Sequence, residues 1–328
     1  MNISPKAVYL CEKISPTKVI PTVQKDVERG LFEFPRSLPP KYFYDEAGSL
    51  LFDKICDAPE YYPTRTESAL LEKISGEVIE CARPDCIIEL GSGTSRKTRH
   101  LLNACDKAEI RPFYAPVDVC DEILLASRTK LTEEYPWLKT RPISGDYTAG
   151  LGNLPYLSER NLVVFLGGTI GNFTSDEALA FLRDVRSTMG SEDYFLIGAD
   201  RMKSPVSLHE AYNDTQGVTA AFNLNVLSVM NRELDANFDL GSFSHYAYFN
   251  PVDSQIEMHL ISMSRQVIEF KALDRTLVME EGEHILTEIS RKFTRSGIED
   301  LLEKSGFTVS KHFESNDIGF SLILAQVT

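Results

Sequence analysis

Positive charge is scarce in this chain: 34 Lys and Arg stand against 48 Asp and Glu, a formal net charge of −14 over 328 residues. That balance repels phosphate backbones and anionic membrane surfaces, so neither nucleic acid nor membrane is expected as a partner. Long apolar runs are also missing. Residues 1–23 interleave apolar positions with Lys6, Glu12, Lys13 and Lys18 instead of forming a signal-peptide core, and no later segment reaches the ~18 apolar residues of a membrane span. No Cys-x-x-Cys pair occurs among Cys11, Cys56, Cys81, Cys86, Cys105 and Cys120. They read as buried thiols of a reducing compartment, which makes the cytoplasm the expected location. The six histidines are equally dispersed, without a His-x-x-x-His pair, and no metal site is expected. Repeats and low-complexity tracts are absent, and the Pro-rich piece at 34–40 reads as a loop, not a linker between modules. With 43% hydrophobic and 25% charged residues, a soluble chain of enzyme size remains, able to bury a core.

What is present centres on Cys86-Ile87-Ile88-Glu89-Leu90-Gly91-Ser92-Gly93-Thr94-Ser95. An apolar strand runs into an acidic residue and a Gly-x-Gly turn, which lets a ligand approach the backbone. A dinucleotide fingerprint would place its third glycine at residue 96, which is Arg96, so tight packing over a pyrophosphate is disfavoured. A cofactor without pyrophosphate is the alternative. Glu89, two positions before the first glycine, resembles the first motif of S-adenosylmethionine-dependent methyltransferases. Ordinary strand-to-helix turns can look the same, so the motif needs support from elsewhere.

Around it, residues 67–200 alternate short apolar runs with helical stretches, the pattern of βαβ units and a parallel sheet. Strands are expected at Cys86–Leu90, 112–117, 140–144, 162–166 and 194–198, giving a doubly wound α/β sheet. Ser296-Gly297-Ile298-Glu299 matches a capping box and opens a helix that stops at Gly306. Strands at 307–313 and Phe320–Val327, joined by a turn containing Asn316 and Asp317, bring the sheet to seven. Residues 1–65 and 201–291 break the alternation. In 218–229 the positions Val218, Phe222, Val226 and Val229 fall at helical spacing, and 255–267 reads as a strand. These regions are expected to pack together as a second, discontinuous α+β domain, leaving 66–200 and 292–328 for the first.

Candidate binding groups follow the strand ends. Asp118 lies where a carboxylate would accept from both ribose hydroxyls. Asp146 follows the third strand and could take the exocyclic amine of an adenine, with Tyr147 against the ring. Either Asp alone would pass as a loop or cap residue. Their occurrence after successive strands favours the ligand reading. Gly167-Gly168-Thr169-Ile170-Gly171-Asn172 clears space at the same rim, and Asn172 offers an acceptor and a donor to a zwitterion. Its competing role is to cap the helix beginning near Ser175.

Three strings carry a closer resemblance: Tyr61-Tyr62-Pro63-Thr64-Arg65-Thr66-Glu67, the Gly-Gly-Thr-Ile-Gly-Asn run, and Thr287-Glu288-Ile289-Ser290. Together they make the chain, from Tyr42 to its end, similar to the L-histidine Nα-methyltransferases of ergothioneine biosynthesis. The resemblance implies a class I methyltransferase fold (Rossmann-like) with an added amino-acid-binding domain, S-adenosylmethionine as methyl donor, and L-histidine trimethylated to hercynine. It implies cofactor contacts at Tyr44, Gly91, Lys97, Asp118, Asp146 and Tyr147, where the family usually has Phe at the last position. For the histidine pocket it implies Tyr61, Gly167, Asn172, Tyr212, Met258, Glu288 and Ser290. Asn172 and Tyr212 would hold the carboxylate, with Asn172 also near the amine; Tyr61, Glu288 and Ser290 would address the imidazole. Taken by themselves, Glu288 and Ser290 lie two apart on an expected strand, so both face one way and could grip an imidazole N–H. Without such a partner a buried Glu is costly, and Glu280, Glu281 and Glu283 nearby are surface charge. Met258, Tyr61 and Tyr62 could equally be core filler.

Methyl transfer from a sulfonium asks mainly for alignment with the amine lone pair. The α-amine must first lose a proton, and no carboxylate is clearly placed as a strong base, so loss to water is expected with Tyr44 and Asn172 orienting the nitrogen. The Tyr44 face also suits the growing cation. Two rivals remain: a methyltransferase for tryptophan or an indole amine, which has little use for Glu288 and Ser290, and a non-catalytic cofactor-binding regulator. The expected form is a stand-alone monomer.

Overall fold

In the computed structural model, residues 11–315 and 319–328 are described. Proceeding along the chain, β1 (Glu12–Lys13), β2 (Cys86–Leu90), β3 (Phe113–Asp118), β4 (Lys139–Thr140), β5 (Ile143–Ser144), β6 (Asn161–Phe165) and β7 (Tyr194–Asp200) build one sheet. The chain then leaves for β8 (Phe243–Asn250), β9 (Gln255–Ser262), β10 (Gln266–Phe270), β11 (Arg275–Met279) and β12 (His284–Arg291). It returns with β13 (Phe307–Glu314) and β14 (Phe320–Val327), which run antiparallel as a pair and join β7 through β14. The spatial order is β1-β5-β3-β2-β6-β7-β14-β13, with β4 also on β3. All pairings from β1 to β7 are parallel.

The sheet is doubly wound because its central strands are apolar on both faces. Every residue of β2 and β6 is buried. One face packs Ile88, Val163 and Phe165 under the helix Ser175–Ser187 and the helix Arg295–Lys304. The other packs Ile87, Tyr114 and Leu162 under Tyr62–Ala82 and Arg99–Lys107.

A separate core forms the second lobe. Phe43, Phe222, Val226 and Met230 pack on Leu260, Phe270 and Ile285, joining the helix Val218–Leu234 to the antiparallel sheet β12-β9-β8 and the β10-β11 pair. In β9 inward and outward residues alternate over its whole length, as one covered face demands.

Several expectations need correction. Residues 12–18 do not join the second lobe: β1 extends the main sheet at β5, and Thr17 and Lys18 donate their backbone N–H to Ala149 O. The expected third strand 140–144 is two short pieces, because Pro142 has no N–H to give the ladder. The sheet therefore holds nine strands. The strand read at 255–267 breaks at Met263, which is 56% exposed, into β9 and β10. The helix after β12 is capped not by a box at Ser296 but by Thr294, whose hydroxyl accepts from Gly297 N at 3.0 Å. Of the six thiols, Cys86 and Cys105 are buried while Cys81 is exposed; all are free. The turn expected at Asn316 and Asp317 lies outside the described residues. Among the described residues no helix is long and apolar enough to cross a membrane, and no three His, Cys, Asp or Glu side chains cluster as metal ligands.

Candidate functional site

The glycine turn after β2 opens at the carboxyl rim of the sheet. Gly91 has φ +69 and donates to Val117 O at 2.8 Å, while at Gly93 an added Cβ would meet only open space. Asp118, ending β3, accepts from Gly93 N at 2.8 Å and Cys120 N at 3.1 Å. Each oxygen thus holds one backbone donor and keeps lone-pair capacity for a diol. Asp146 accepts from Thr148 N and Thr148 Oγ1, both on Oδ1, and so combines the cap role with a second oxygen left for a ligand. Tyr147 packs edge-on to Phe165 and Phe181, and its ring would stand 3.1 Å from a Cβ on Gly91. A ring, a carboxylate and an open glycine thus converge where an adenosine-bearing cofactor would fit.

Glu89 turns away from this space. It is buried beneath the turn and accepts from the Tyr114 hydroxyl, which is 2.7 Å from Ser95 Oγ. Burial pushes its carboxyl up to about 7. The acidic position of the motif therefore braces the turn from below.

Lys97 is held by Glu67, a fully buried carboxylate that also accepts from Gly167 N, at 2.8 and 2.9 Å to its two oxygens. Gly167 has φ +88, a conformation only glycine adopts without strain. Glu67 thereby ties the helix Tyr62–Ala82 to the glycine-dense turn after β6.

Asn172 ends that turn, and the cap it competed with is supplied by Thr174 and Glu177 in a complete capping box. Its amide donates to Ile289 O at 2.8 Å, and its proximity pulls the Glu288 carboxyl down. The Asn172 amide is thus tied to β12, and its carbonyl would be left for an amine. Burial pushes Glu288 up to about 7, against the pull of the Lys292 charge and the Asn172 bond.

Glu288 faces Met258 across the β12-β9 ladder, and Ser290 faces Ile256. Met258 is 2% exposed and belongs to the second-lobe core, so it backs Glu288 as a wall. Ser290 Oγ lies 2.8 Å from Tyr212 Oη, and both accept from Lys292 Nζ. The Tyr212 proton is spent on Ser290, so the carboxylate role implied by resemblance for Tyr212 requires that bond to be exchanged. Tyr61 meets Tyr212 and Phe52 edge-on. Tyr44 packs on Phe52 and Phe222 yet keeps 41% of its surface open, and its phenol is pushed well up by burial and by Glu288, Tyr147 and Tyr212. A ring so enclosed and still accessible lines a cleft, and it stands between the cofactor-side and pocket residues.

Tyr44 lies close enough to Glu288, Tyr147 and Tyr212 for their charges to act on its phenol. Glu67, Asp200 and Lys292 went unrecognised from sequence; a solitary Lys or Asp has no spacing signal, and their partners are remote along the chain.

The chain matches the family model described as "Histidine-specific methyltransferase, SAM-dependent" over residues 23–327. It is 43% identical over 302 residues to a histidine N-alpha-methyltransferase of Mycolicibacterium smegmatis, covering 92% of this chain and 94% of the relative. It is 29% identical to ergothioneine biosynthesis protein 1 of Neurospora crassa, covering 82% of this chain but 32% of that protein. A 4-dimethylallyltryptophan N-methyltransferase of Trichophyton verrucosum is 25% identical over 94% of each chain.

Proposed function

Because the chain belongs to the histidine-specific, S-adenosylmethionine-dependent methyltransferase family, we propose that it trimethylates the α-amine of L-histidine to hercynine, as the first step of ergothioneine biosynthesis. The observation that carries this reading is the bond from the Asn172 amide to Ile289 O, which joins the rim of the cofactor sheet to β12 beside the half-buried Glu288. Glu288 with Ser290 gives a polar wall suited to an imidazole and wasteful for an indole.

The cofactor, S-adenosylmethionine, supplies an activated methyl group. Its adenosine would be held by Asp118, Asp146 and Tyr147 over Gly91, with Lys97 at the far side of the turn. Tyr44 would present its ring and hydroxyl to the histidine amine, and Asn172 Oδ1 would accept from that amine so that its lone pair points along the transfer axis. Tyr61 and Met258 would close the imidazole pocket, and Gly167 would leave room beside it. Tyr212 would line the pocket with its bond to Ser290 kept, in place of the carboxylate role that the resemblance implies. No metal takes part in this scheme. The charge of −14 supports a small-molecule acceptor over nucleic acid. The chain would work as a cytoplasmic monomer, with 66–200 and 292–328 binding cofactor and the remainder, apart from the strap at 12–18, binding the amino acid.

Incubation with S-adenosylmethionine and each common amino acid, read by mass spectrometry, tests the proposal. Histidine should gain one, two and finally three methyl groups. Preferential methylation of tryptophan, or of no amino acid, would overturn it.

A further inference from the structure

The Lys292 ammonium is 1% exposed and spends its three protons on three oxygens: Asp200 Oδ2 at 2.9 Å, Ser290 Oγ at 2.8 Å and Tyr212 Oη at 3.1 Å. Asp200 is anchored in turn by Tyr62 Oη at 2.6 Å and by Lys203. The cluster lies where the chain leaves the main sheet and returns to it: Phe293 N donates to Asp200 O, and Met202 N to Phe293 O. Lys292 is therefore held from both lobes and cannot swing away without leaving a buried charge unpaired.

The consequence falls on Ser290. A serine hydroxyl has two lone pairs and one proton. Lys292 fills one lone pair and the Tyr212 hydroxyl, 2.8 Å away, fills the other. Only the proton is left to give. Two residues earlier on the same face, Glu288 offers a carboxyl oxygen that accepts. A wall of one acceptor and one committed donor matches a neutral imidazole, which has a ring N–H and a ring lone pair. An indole or a pyrrole has the N–H alone and would leave the Ser290 proton unmet.

We infer that Lys292 is a specificity-determining positioning residue, which commits Ser290 to donating and so requires a lone-pair-bearing ring nitrogen in the acceptor amino acid. This deepens the histidine reading and rests on it. The substrate class it defines is azole-bearing α-amino acids.

Calorimetric titration with L-histidine and with 3-(2-pyrrolyl)-L-alanine, which keeps the N–H but lacks the lone pair, tests it. The unmodified enzyme should favour histidine by ~10- to 100-fold, the worth of one unmet polar group. Lys292→Met should bring the ratio near parity while binding of S-adenosylhomocysteine is unchanged. Ser290→Ala, which leaves the Lys292–Asp200 pair in place, should do the same and keeps the test available if Lys292→Met does not fold. A purely structural lysine would weaken both amino acids alike and preserve the ratio, overturning the inference. Histidine binding with no preference over the pyrrole analogue would overturn it while sparing the proposed function; absence of histidine binding would remove both.

Discussion

Glu288 is where residue-level electrostatics bear most directly on both stability and binding. Its carboxyl is pushed up to about 7 from an ordinary 4.5 by burial. A carboxyl whose folded value is raised favours the native state only while protonated, so its contribution declines as pH rises from about 4.5 to about 7 and is flat beyond. Glu288→Gln should therefore raise the melting temperature above pH 7 and not below pH 4.5, by the equivalent of roughly 1–3 kcal/mol. Thermal scans at about pH 4 and about pH 8 check this, and an equal effect at both would count against a half-buried, proton-holding side chain. Glu288 was legible because it sits in a recognisable string. Lys292 and Asp200 were not: each is an unremarkable letter until folding sets the long stretch of chain between them aside.

At the scale of elements, the alternation of apolar runs was enough to place β2 and β14 to the residue and most others within about two. Errors arose where a competing local rule won. Pro142 split one strand by withholding an N–H. The helix start moved from Ser296 to Thr294 because two hydroxyl residues stood close together, and only coordinates show which accepts from Gly297 N. Thr294→Ala should cost about 1 kcal/mol of stability, and Ser296→Ala a few tenths at most. Denaturant midpoints of the two variants give the answer; the reverse ranking would restore the box at Ser296. The cap role that competed for Asn172 fell in the same way, since Thr174 and Glu177 complete the cap without it.

At the scale of the whole molecule, the proposed site takes one wall from the sheet of the second lobe and the other from the main sheet, which the strap at 12–18 extends at β5. Composition gave no hint of this attachment, because two residues of parallel pairing carry no pattern. Ile14 lies over Gly145, where any Cβ would strike it, and Thr17 and Lys18 bind Ala149, so the turn bearing Asp146 and Tyr147 is clamped between them. Ile14→Asp should weaken S-adenosylhomocysteine binding about tenfold, ~1.4 kcal/mol, with little change for histidine. Calorimetry of both ligands separates this from general loosening, which would reduce the two equally.

The proposed division of labour across one cleft has β12 grip the imidazole and the rim of the main sheet hold the cofactor. Paired calorimetric titrations of Glu288→Ala with L-histidine and with S-adenosylhomocysteine examine that division most directly. Histidine affinity should drop by at least tenfold, the equivalent of ~1.4 kcal/mol, while S-adenosylhomocysteine binds as in the unmodified enzyme. Equal losses for both ligands, or no loss for histidine, would contradict it.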